Sequence, residues 1–165
     1  MYRGLLIWLF LLLPTMAEDL RENAFFSALQ GSWVGEGEMT NADFETTQLS
    51  NRIEATFSED GEIFTIQGTL TVDQNQVEYS WTYTNHELEG LYRAEYVVAT
   101  QPDTISEYQV SIDEAALTAS LEPFPGGTLI RMRKTIVDEV YEARFEFVDD
   151  LGQATLKGFV KFERE

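Results

Sequence analysis

The sequence predicts an all-β fold: an antiparallel, up-and-down sheet of about eight to ten strands closed into a barrel, with one short N-terminal helix. Three observations lead there. From Trp33 to the C-terminus, apolar residues recur at every second position, the period of a half-buried strand. Short polar connections separate the runs, and short connections favour antiparallel neighbours. After residue 29 no helical pattern remains to cover the apolar faces, so closing the sheet on itself hides them and leaves no exposed edge.

The chain begins "MYRGLLIWLFLLLPTMA", with Arg3 ahead of the apolar run Leu5 to Leu13, a break at Pro14 and small residues before position 18. This is the layout of a secretory signal peptide over 1–17, and the run is shorter than the roughly 20 residues a bilayer span needs. One barrel domain over 18–165, exported to a periplasmic or extracellular location, is the expected product. In "EDLRENAFFSALQG", Leu20, Ala24, Phe25, Ala28 and Leu29 fall near helical spacing, which predicts a helix over about Asp19 to Leu29.

The strands follow. Ile53, Ala55 and Phe57 form one alternating row; Phe64, Ile66, Gly68, Leu70 and Val72 the next; then Val77, Tyr79, Trp81 and Tyr83. Tyr92, Ala94, Tyr96 and Val98 continue the pattern, then Tyr108, Val110 and Ile112, then Leu117, Ala119 and Leu121. The last runs carry Ile130, Met132 and Ile136; Tyr141, Ala143, Phe145 and Phe147; and Leu156, Gly158, Val160 and Phe162. Turn chemistry stands between them at 58–62, 73–76, 111–115, 123–127 and 148–153.

Composition limits the partners. The 165 residues carry 29 acidic and 11 basic side chains, a formal charge of −18, and no cysteine. Such a surface repels nucleic acid and anionic headgroups, and disulfides and thiolate chemistry are excluded. The polar face of the strands bears Arg52, Glu54, Glu78, Arg93, Glu95, Glu142, Arg144 and Glu146. A membrane barrel turns its apolar face to lipid and would have to enclose these charges. The pattern therefore favours an apolar interior and a water-facing exterior, with no membrane insertion of the mature domain.

The stretch "LQGSWVGEGEM" opens the first strand. Its glycines follow a helix and precede a strand, with no lysine near, the reverse of a phosphate-binding loop. Read as a strand, it puts Trp33, Gly35, Gly37 and Met39 on one face and Glu36 and Glu38 on the other. Trp33 then closes the barrel floor, and Gly35 and Gly37 leave room for coiling or bulky neighbours. A helix followed by "GSW" resembles the Gly-x-Trp signature of lipocalins and the wider calycin barrels. The longer stretch is similar to the opening of nitrobindin-like barrels and of small exported bacterial lipocalin-like proteins of unknown function. "GFVKFERE" resembles the closing strand of that last family. The resemblance spans Leu29 to Glu165 and implies a lipocalin-like barrel. Nitrobindin-like members bind haem through a histidine near the C-terminal end. That histidine is absent here; the chain's one histidine, His86, sits in "TNHELEG", read as a turn. The resemblance thus implies no haem, and neither a cofactor nor a metal is expected.

Candidate binding residues lie elsewhere. Tyr79, Trp81 and Tyr83 share a face of one strand, and Tyr92 and Tyr96 of the next, so a barrel would gather them around its interior. "LIRMRKTIV" admits two registers: one turns Ile130, Met132 and Ile136 inward and Lys134 with them, expected at the rim with its ammonium reaching water, and the other buries Arg131 and Arg133. A lysine held deeper would need an acidic partner or an anionic ligand. The reading that follows is a barrel binding a small, largely apolar ligand without chemistry. Its rivals are an isomerase or cyclase using Tyr79, Tyr83, Tyr96 and Lys134, and a packed barrel meeting an envelope partner through Glu36 and Glu38. No nucleophile–base pair, metal-spaced histidines or distinctive carboxylate pair marks a catalytic centre. If the leader reading holds, the exported protein starts at Glu18, which intact-mass measurement checks; a mass retaining residues 1–17 contradicts it.

Overall fold

Alternating side chains become ten antiparallel strands among the residues described by the computed structural model, 19–124, 130–149 and 153–165. They are β1 (Gly31–Asn41), β2 (Thr46–Phe57), β3 (Ile63–Val72), β4 (Asn75–Asn85), β5 (Leu91–Val98), β6 (Ile105–Asp113), β7 (Thr118–Pro123), β8 (Ile130–Val137), β9 (Val140–Val148) and β10 (Ala154–Arg164). Each pairs with the next, and β1 pairs with β10 to close the barrel. The expected leader over 1–17 lies outside the described residues, as do parts of the turns at 123–127 and 148–153.

Tight connections set the register. Asp73 and Gln74 between β3 and β4, and Asp138 and Glu139 between β8 and β9, all have positive φ. Positive φ at both central residues gives the two-residue turn whose twist matches that of the strands it joins.

The closing seam is crowded. Gly37 faces Val160 across it, and a Cβ on Gly37 would lie 1.9 Å from the Phe159 carbonyl oxygen. No side chain fits there, because the obstacle is backbone. Trp33, on the same inward row, is fully buried and donates its indole N–H to the Leu29 carbonyl at 2.8 Å. Arg164 at the end of β10 places its guanidinium 4.3 Å from the Trp33 ring centroid and donates to the carbonyls of Ala28 and Gln30. These carbonyls belong to the last turn of a helix, where such groups have no intrahelical partner and favour a cation.

That helix differs from the continuous one expected over Asp19 to Leu29. A single 3-10 turn (Leu20–Glu22) precedes an α-helix, α1 (Ala24–Leu29), and Asn23 between them is extended. The cause is capping: the Asn23 side-chain oxygen accepts from the backbone N–H groups of Phe25 and Phe26, which starts a new helix there. Its side-chain amide also donates to the Tyr92 hydroxyl at 2.9 Å, tying the cap to β5. Phe26 then points into the barrel, with its ring 5.0 to 5.4 Å from those of Phe64, Tyr83 and Tyr92. Phe25, Phe26 and Leu29 are wholly buried. Each contributes about 1.5–3 kcal/mol by leaving water. One end of the barrel is plugged by this helix.

The outward row carries the charges. Arg52 pairs with Glu165 at 3.0 Å, Lys157 with Glu146 at 3.2 Å, and Arg93 with Glu107. All are well exposed, and such pairs stabilise little. Among the described residues no helix is long and apolar enough to cross a membrane. Replacing Gly37 with alanine should lower unfolding free energy by about 3 kcal/mol, because the seam cannot yield, while Glu36→Ala on the outer face should change it by less than about 0.5 kcal/mol. Urea denaturation of the two variants checks the contrast.

Candidate functional site

Plugging one end leaves the other half of the interior to be filled by the strands' own side chains, and they do not fill it. A hollow of about 170 Å³ remains, lined by Met39, Leu49, Leu70, Met132, Phe145 and Phe147 toward its mouth and by Ile66, Trp81, Tyr141 and Val160 deeper in. Grooves of about 520 and 960 Å³ run along the outer face between residues such as Arg52, Glu54, Glu78 and Glu163. These lie open among solvated charges, whereas the interior hollow is walled mostly by apolar groups.

The aromatic wall rests on β4 and β5. Tyr79 lies over Gly68, its cross-strand partner, where a Cβ would come within 2.3 Å of the phenol ring; the glycine is the ring's seat. Asn51 on β2 donates to the Tyr79 hydroxyl at 2.8 Å and fixes its direction. Trp81 packs between Tyr96, 4.7 Å away, and Tyr108, 5.0 Å away, by ring centroids. Tyr79, Trp81 and Tyr96 all line the hollow. Tyr83 sits below it, packed on Phe26. Tyr92 is elsewhere: it belongs to the helix plug, bonded to Asn23, and does not reach the hollow.

Lys134 departs from the expected rim position. It is 2% exposed, with Ala119 on β7 and Ala143 on β9 as its cross-strand neighbours. These two small neighbours leave room for the long side chain within the barrel, and the amine stays inside. Its Nζ donates to the Tyr83 hydroxyl at 2.5 Å and lies 4.6 Å from the Trp81 ring centroid. Burial pushes its pKa down from 10.5 to about 7. Among the described residues no acidic side chain is buried, so nothing acidic offsets the charge.

Burial acts on the tyrosines in the opposite sense. It raises the pKa of Tyr79, Tyr83, Tyr96 and Tyr141, and that of Tyr108 to about 12. All five stay neutral hydrogen-bond donors at physiological pH. The Tyr108 hydroxyl has no partner among the described residues. The site is thus apolar and flat-walled, with a few hydroxyls and one amine.

Sequence reasoning passed over Asn51 and Tyr141 as lining residues. Both were recoverable by extending the alternation: Asn51 lies two residues before Ile53, and Tyr141 heads the row of Ala143 and Phe145. His86 lies in the β4–β5 turn, at the plugged end, where its Nδ1 accepts from the Leu88 N–H at 3.0 Å. Among the described residues no three His, Cys, Asp or Glu side chains gather to hold a metal.

Comparison with solved structures shows the fold. The S-type phycobiliprotein lyase CPES from Guillardia theta superposes with a TM-score of 0.64 at 12% identity, over 90% of this chain and 93% of that one. A Mycobacterium tuberculosis protein matches with a TM-score of 0.60 at 11% identity, over 84% and 94%. A Nostoc punctiforme protein of unknown function from the DUF3598 family matches at 0.58 and 13% identity; 85% of this chain aligns with 49% of that one. No family model matches the sequence, and no curated protein sequence does. The ten-strand antiparallel barrel fits a calycin-like fold.

The lysine makes stability depend on pH. Between about pH 7 and its unfolded value of 10.5, the unfolded chain holds a proton that the folded chain has released. Stability therefore rises with pH there, by about 1.4 kcal/mol per unit, and the penalty is fully present below pH 7. Above pH 10 the raised tyrosine values reverse the trend, since the unfolded phenols ionise first. Denaturant unfolding of the protein and of Lys134→Met between pH 7 and 9.5 should show a slope difference of that sign; parallel pH profiles contradict a buried amine.

Proposed function

We propose that the protein is an exported, lipocalin-like barrel that takes a small, largely apolar molecule into the open half of its interior and leaves it chemically unchanged. The observation that carries this reading is the hollow beside the helix plug. Well-packed interiors leave few voids larger than a water molecule, and this one is walled by Trp81, Tyr79, Tyr96, Leu49 and Met132. Export is supported by the leader-like residues 1–17.

The size of the hollow limits the ligand. Drug-sized molecules occupy pockets of roughly 300–1,000 Å³. At about 170 Å³ this cup is smaller. It is close to the engineered apolar cavity of roughly 150 Å³ that takes up benzene in another protein. A single ring or a short alkyl chain, with its tail toward Met39, Leu49 and Phe147, suits the space. That one barrel of similar shape is a phycobiliprotein lyase supports use of the interior by a small molecule.

The probe 3-phenylpropan-1-ol tests the reading. On addition, methyl resonances of Leu49, Ile66, Met132 and Ala143 should shift in NMR spectra, and Ala143→Leu, which fills the cup, should weaken binding by about tenfold. Shifts confined to outward-facing residues, or none, contradict it.

A further inference from the structure

We propose that the ligand is a monoanion, with a carboxylate seated on Lys134 at the foot of the cup and its apolar body toward the mouth; this rests on the binding function proposed above. Three observations on independent elements support it. Lys134 lines the hollow, so its amine faces a space a ligand can enter. An ammonium has three N–H donors, and the Tyr83 hydroxyl engages one. Among the described residues the remaining surroundings bring no buried acid: Ala119 and Ala143 flank it, and Ile66, Val160 and Phe162 from β3 and β10 line the same hollow.

The titratable groups around this interior are phenols. Tyr79 and Tyr83 come from β4, Tyr96 from β5, Tyr108 from β6 and Tyr141 from β9, and α1 brings none. On β8 itself, Arg131 and Arg133 point outward and are exposed. A buried cation without a counter-charge costs free energy, which an unbranched apolar side chain of similar length would not incur. A carboxylate supplies the missing charge and the acceptor, and Tyr141 on β9, which lines the same hollow, can donate to its second oxygen. The Trp81 face, 4.6 Å from Nζ, stabilises the protonated amine that the pair requires. The chain's formal net charge of −18 opposes an anion's approach, so the affinity comes from the pair formed inside, where the dielectric is low.

The free amine is half protonated near pH 7, so an anion must bring a proton with it above that pH. The phenols remain neutral through pH 9 and do not add to this dependence.

The test compares 3-phenylpropanoate with 3-phenylpropan-1-ol by calorimetry on the whole protein at pH 6 and pH 9. A purely apolar cup prefers the alcohol, because stripping water from a carboxylate is the costlier step. The anion is expected to bind about tenfold more tightly than the alcohol at pH 6 and to weaken by up to about a hundredfold at pH 9, with the alcohol unchanged. Lys134→Met should remove the preference and retain the alcohol. Should that variant fail to fold, the wild-type comparison at two pH values still decides. Equal binding, preference for the alcohol, or an anion preference indifferent to pH overturns the inference and leaves the binding function standing. Failure of both probes to bind overturns both.

Discussion

The pairing of β1 with β10 is the constraint on which the rest of the molecule depends. A ten-strand sheet with one apolar face is insoluble until its edges meet, and here they meet where Gly37 lies against the backbone of Phe159 and Val160. The same two strands carry Trp33 and Arg164, which fasten the carbonyl end of α1 through three hydrogen bonds. Closure of the sheet and attachment of the plug are therefore one structural event. Because the helix is tied to that end, it fills only that end, and the hollow falls at the other.

A closed barrel also separates charge from interior with little latitude. Period-two alternation turns each side chain fully in or fully out, so ionic groups on the outer row remain solvated and pair loosely. Lys134 is the exception, because its strand places it on the inner row between two alanines. In an interior of phenols and hydrocarbon, its charge is held by one hydroxyl and the rings of Trp81 and Tyr83. The site's chemistry reduces to that imbalance: an amine, neutral hydroxyl donors, and no acid among the described residues.

Alternation made the barrel legible in the sequence. Rows such as Phe64–Ile66–Gly68–Leu70 and Tyr79–Trp81–Tyr83 can be assigned inward without coordinates, and the glycine-rich opening reads as a strand rather than a phosphate loop. What alternation does not encode is height along the barrel axis. Tyr92 and Tyr96 share a strand face, yet one belongs to the plug and the other to the cup, since the difference depends on how far Phe26 penetrates. The depth of Lys134 was hidden for the same reason: it is set by the alanines beside it on β7 and β9, which only the register reveals. The helix break at Asn23 was local and readable, an asparagine ahead of an apolar pair, but helical spacing on both sides obscured it.

Among the described residues, the barrel's apolar cup holds one amine at its foot and no buried acid to offset it. An NMR titration of the Lys134 side chain, following the Cε and Hε resonances in the ligand-free protein, tests this arrangement. A midpoint near 7, far from the ordinary lysine value of 10.5, is the predicted result. A midpoint at the ordinary value would mean that water or a counter-charge reaches the amine, and would contradict its burial among apolar groups.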